Sequence, residues 1–100
     1  NRSFGYTAKG NSSYERSRAL EIMKILETTD VFFDFHQTNR PSLCPFYIFS
    51  MHAESYYWAQ AAGVAPAFVT RKPGQSFSEA GMCSDEFMRS LNKAGVTLEL

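Results

Sequence analysis

Cysteine is scarce. Cys44 and Cys83 are the only two and do not form a C-x-x-C pair, so neither a disulfide framework nor a structural zinc knuckle can be built from them. That usage predicts a reducing compartment, the cytoplasm. Net charge is lacking too: ten basic and ten acidic residues cancel and are interspersed, which removes the electrostatic footprint of a nucleic-acid or anionic-membrane binder. There is no long hydrophobic run. The longest stretch free of strongly polar residues, 61–69, contains Gly63 and Pro66 and falls far short of the roughly 20 apolar residues that cross a bilayer. A G-x-S-x-G elbow, a Walker loop and a G-x-G-x-x-G turn are all absent, which excludes the usual hydrolase, nucleotide and dinucleotide signatures.

What remains is an ordinary globular composition, 44% hydrophobic and 20% charged, which excludes disorder. Ser12 with Glu15 three residues on has the form of a capping box. Ala19, Ile22, Met23 and Leu26 then fall on one helical face, widened by Leu20 and Ile25. Thr28-Thr29-Asp30 ends that helix, and a strand follows over 31–36. A second strand is predicted over 45–49. A helix over 50–62 should stop at Gly63, with Tyr56, Tyr57 and Trp58 as core residues carrying polar tips. A third strand covers 67–70, and Pro73-Gly74 marks a turn. Ser84 caps a helix through Ala94, stopped by Gly95, before a last strand over 96–100. Alternating helices and strands predict an α/β fold, a mixed and largely parallel sheet flanked by helices.

The segment Val31-Phe32-Phe33-Asp34-Phe35-His36-Gln37-Thr38 is the most informative. In a strand, Phe32, Asp34 and His36 share one face, so a carboxylate sits beside a metal-competent nitrogen. Both need partners if buried, and a metal with an orienting carboxylate supplies them. A hydrogen-bonded structural histidine at a strand end satisfies the same pattern. Ligands in open α/β sheets gather beyond the carboxyl ends of strands, and His36 and Glu99 each lie near such an end. For Glu99, flanked by Leu98 and Leu100, the pattern by itself predicts a half-buried strand with one face in water.

A catalytic zinc needs three protein ligands and an open position. His52, Cys44 and Cys83 match no finger, ribbon or H-E-x-x-H spacing. His52-Ala53-Glu54 has the H-x-E form of zinc deaminases, but the P-C-x-x-C that chemistry requires is missing. His52 and Glu54 are expected in the first turn of a surface helix.

Taken in order, Asn1-Arg2-Ser3-Phe4, Asp34-Phe35-His36-Gln37-Thr38 and Thr97-Leu98-Glu99-Leu100 resemble the zinc carboxypeptidase superfamily, specifically the branch of aspartoacylase and succinylglutamate desuccinylase. The resemblance implies that His36 is a zinc ligand and that Asp34 is the carboxylate orienting it. It also implies that Asn1 and Arg2 bind the substrate's carboxylate, and that Glu99 is general base and then general acid. The other two ligands would come from an H-x-x-E motif preceding Asn1. A zinc ion lowers the pKa of bound water to about 7, and a neighbouring carboxylate takes its proton. A guanidinium pairs bidentately with a carboxylate, which suits Arg2 to a small-molecule or peptide substrate bearing one.

The chain starts without methionine and stops inside a strand pattern. Residues 1–100 are therefore expected to be an internal piece, a partial catalytic domain that alone neither holds zinc tightly nor turns over substrate. The expected activity of the intact protein is removal of an acyl group from an N-acyl amino acid. The alternatives are trimming of peptide C-termini by a metallocarboxypeptidase and a non-catalytic α/β domain binding carboxylates on the same scaffold. Nucleic-acid and membrane partners are not expected.

Overall fold

The computed structural model describes residues 3–5, 14–70, 72 and 81–100. Along the chain run α1 (Tyr14–Leu26), β1 (Val31–His36), β2 (Phe46–Ile48), α2 (Ala53–Ala62), β3 (Ala67–Val69), α3 (Ser84–Ser90) and β4 (Ala94–Glu99). The four strands form one sheet in the order β1-β4-β2-β3. β1 pairs with β4, and β2 with β3, in parallel; β2 and β4 are antiparallel. The fold is α/β with a mixed, mostly parallel sheet.

Helices cover both faces. On one side Ala19, Met23 and Leu26 of α1 and Phe87 and Met88 of α3 close over Phe32, with Phe4 in the same cluster. On the other, Ala59 of α2 packs on Tyr47, Phe49, Val96 and Leu98. β4 is therefore buried on both faces from Ala94 to Leu98, not half in water as its alternating pattern predicted. The reason is α3, which roofs the polar positions of β4 and leaves Thr97 only 6% exposed.

Several expectations are corrected. Leu20 and Ile25 do not widen the buried face of α1; both are exposed, because that helix meets the core along a narrow stripe. Tyr57 and Trp58 are also exposed, since α2 inserts only Ser55 and Ala59 fully. The second helix begins later than predicted, with His52 at its N-cap, and Gly63 ends it at φ 62° as expected. α3 is shorter than predicted: it ends at Ser90, the chain turns through Asn92 at φ 57°, and Gly95 lies inside β4. Ser12 and the Pro73-Gly74 turn lie outside the described residues.

A buried ion pair inside α3 holds the arginine that ties this helix to the sheet. Arg89 Nη1 lies 2.7 Å from Asp85 Oδ2, and their side chains are 8% and 5% exposed. The same nitrogen donates to the carbonyl of Gly95 at 2.8 Å. Nη2 has no hydrogen-bond partner among the described residues; the guanidinium instead lies 5.6 Å from the centre of the Phe49 ring, a cation–π contact that offsets part of its desolvation. Arg89→Ala leaves the Asp85 carboxylate buried and unpaired and is expected to cost about 3 kcal/mol. Urea denaturation checks this, and a loss below about 1 kcal/mol, the worth of an exposed pair, would contradict it.

Candidate functional site

Two parallel strands build the site. In the β1–β4 register Phe32 lies beside Gly95, Asp34 beside Thr97 and His36 beside Glu99. Because alternate residues share a face, Asp34, His36, Thr97 and Glu99 form a polar patch at the carboxyl end of the pair. The ladder continues past the strand ends, with the Leu100 amide donating to the His36 carbonyl at 2.9 Å. That bond holds the backbone around His36 and Glu99 level.

The side chains meet. His36 Nε2 lies 3.2 Å from Asp34 Oδ2, and His36 Nδ1 lies 3.9 Å from Glu99 Oε1. A carboxylate only accepts, and Asp34 is the nearer of the two, which favours the neutral ring with its proton on Nε2 and the Nδ1 lone pair toward Glu99. Exposure rises from Asp34 and Glu99, at 24% and 20%, to 42% for the imidazole. The ring is thus reachable from solvent while the carboxylates beside it are partly shielded. Behind them, Ser84 at the start of α3 donates a hydrogen bond to the same Asp34 oxygen.

No family model, curated protein or solved structure matches the chain. The geometry and chemistry of the side chains therefore carry any functional reading.

A zinc ion fits part of this arrangement. One imidazole with its distal nitrogen held by a carboxylate is the form that metal-binding histidines take. Among the described residues, however, no group of three or more His, Cys, Asp or Glu side chains could hold a metal. Asp34 faces Nε2, so it is not placed to bind the same metal as Nδ1. Asn1 and Arg2 lie outside the described residues.

The remaining donors lie elsewhere. His52 Nδ1 accepts from the Ser55 amide at 3.3 Å and meets Ser55 Oγ at 3.0 Å, capping α2. Ser55 Oγ in turn accepts from the Gly95 amide at 3.1 Å. Those bonds make His52 a structural residue. A cleft beside α2 is lined by Tyr47, Tyr56, Gln60 and Phe68 among others; its wall holds no carboxylate or imidazole, and its ionisable groups are the two phenols.

Sequence reasoning treated Ser84 as a helix cap. The N-cap is Cys83, whose amide is bonded by the Glu86 carboxylate at 2.9 Å. The serine hydroxyl is thereby free to reach Asp34. Nothing in the local sequence signals that contact, since its partners are 50 residues apart.

Among the described residues, no helix is long and apolar enough to cross a membrane.

Proposed function

We propose that this chain is part of a zinc-dependent amidohydrolase that removes the acyl group from an N-acyl amino acid, on the pattern of aspartoacylase and succinylglutamate desuccinylase. The observation that carries the reading is that His36 Nδ1 faces Glu99 Oε1 across 3.9 Å, too far for a hydrogen bond, while Asp34 lies 3.2 Å from the other ring nitrogen.

His36 Nδ1 would hold the metal, together with the H-x-x-E pair that the resemblance sets before Asn1. When bound, zinc supplies Lewis acidity, polarising an amide carbonyl and acidifying water. Asp34 fixes the ring and raises the basicity of Nδ1. Glu99 removes a proton from the attacking water and delivers it to the nitrogen of the leaving amine, which balances the hydrolysis. Arg2 and Asn1 bind the carboxylate of the substrate, and the bidentate geometry of arginine fixes its orientation.

The test is made on the full-length protein, by measuring zinc content and the hydrolysis of N-acyl amino acids. One zinc per chain is expected, with turnover lost on chelation and recovered on adding zinc. A protein that binds carboxylate ligands but retains no zinc and hydrolyses nothing would be a non-catalytic domain on this scaffold, and release of C-terminal residues from peptides would identify a carboxypeptidase.

A further inference from the structure

A carboxylate can orient an imidazole only if it is held itself. Asp34 is on β1, at one edge of the sheet among the described strands, and its side chain is 24% exposed. Left to itself, such a group turns about χ1 and χ2 and exchanges protein partners for water. One contact from outside β1 prevents this. Ser84 Oγ, on a residue only 8% exposed, donates to Asp34 Oδ2, the oxygen that also faces His36 Nε2. One oxygen is therefore pinned from two elements, α3 and β1.

The placement of α3 makes this possible. Gly95 lets the first turn of α3 lie directly on β4: a Cβ at that position would stand 2.3 Å from the Asp85 carbonyl oxygen. Asp85 follows Ser84, and Gly95 pairs with Phe32, two residues before Asp34. The close approach sets Ser84 over Asp34 at the level where His36 begins.

We infer that Ser84 is a positioning residue, a link from α3 that holds Asp34 and, through it, turns His36 so that Nδ1 faces Glu99. Its importance for zinc rests on the amidohydrolase reading; its effect on the ring does not. The hydroxyl makes no contact with substrate or metal in this role.

The experiment combines nitrogen-15 NMR of the His36 ring, at a pH where it is neutral, with zinc dissociation constants for the full-length protein and its Ser84→Ala and Ser84→Thr variants. The metal-free protein is expected to show the Nε2–H form alone. Ser84→Ala is expected to give a mixture of the two ring forms and about tenfold weaker zinc binding, the lower end of what loss of an orienting partner costs. Ser84→Thr keeps the hydroxyl and should restore both.

An Nδ1–H ring in the unaltered protein overturns the inference even if Ser84→Ala does not fold. So does a Ser84→Ala protein with an unchanged ring form and unchanged zinc affinity, and in that case the amidohydrolase reading survives. If the ring form responds to Ser84→Ala but the unaltered protein neither binds zinc nor hydrolyses amides, the amidohydrolase reading fails and the positioning by Ser84 stands.

Discussion

Glu99→Gln is expected to lower turnover of an N-acyl amino acid by about 10³-fold in the full-length protein, within the range that general acid–base groups contribute. Glutamine keeps the size and the hydrogen-bonding reach of the side chain but cannot take a proton. The strand is held on both sides of the position: Glu99 pairs with His36 in β1 and with Phe46 in β2, and Leu98 before it is buried. The substitution should therefore leave the backbone in place, with zinc content unchanged and KM within about threefold, the pattern of an interaction made in the transition state. Steady-state kinetics with zinc measured on the same samples decides the matter. Turnover within tenfold of the unaltered protein, with zinc retained, would remove Glu99 from the mechanism.

A large effect on stability is expected at Gly95. A methyl group there would stand 2.3 Å from the Asp85 carbonyl oxygen, 3.0 Å from its carbonyl carbon and 2.9 Å from Met88 Cβ. Two of the three are backbone atoms, so no rotamer change relieves the overlap; α3 must lift or β4 must sink. Neither is free to move. The Gly95 amide is bonded to Ser55 of α2 and its carbonyl to Arg89 of α3. Overpacking a closed core costs about 1–3 kcal/mol, and Gly95→Ala is expected at the top of that range, about 3 kcal/mol. A fall in the urea midpoint without a change in slope would report it. A loss under about 1 kcal/mol would mean that α3 can lift from the sheet at little cost. Any lifting of α3 also draws Ser84 from Asp34, so the ring form of His36 should change in the same variant.

Much of this was legible in the sequence, for reasons that differ by residue. The strand over 31–36 was marked by its β-favouring run, and a period of two was enough to put Asp34 and His36 on one face. The stripe of Ala19, Met23 and Leu26 followed from helical spacing alone. Gly95 was misread because a glycine after a helical pattern marks a helix stop and a close backbone approach equally well. Asn92 made the turn instead, and the glycine served packing. β4 was misread because Thr97 and Glu99 alternate with leucines as on a solvated face, and only the tertiary roof of α3 hides the threonine. The contact of Ser84 with Asp34 and the burial of Arg89 depend on how α3 lands, which local pattern does not encode.

The sheet order has a further consequence for how such a chain reaches its native state. β4 follows the other six elements of the described residues in sequence yet sits inside the sheet, between β1 and β2. Strands β1 and β2 therefore have no direct neighbour in each other, and each leaves apolar surface uncovered until β4 is in place. Pairings this distant in sequence close slowly, because the intervening loop loses its freedom before the contacts compensate. Insertion of β4 joins the sheet, buries Val96 and Leu98, and brings Glu99 to His36. Without β4 the histidine and aspartate of β1 have no acid opposite them, so the site and the core both depend on the same strand.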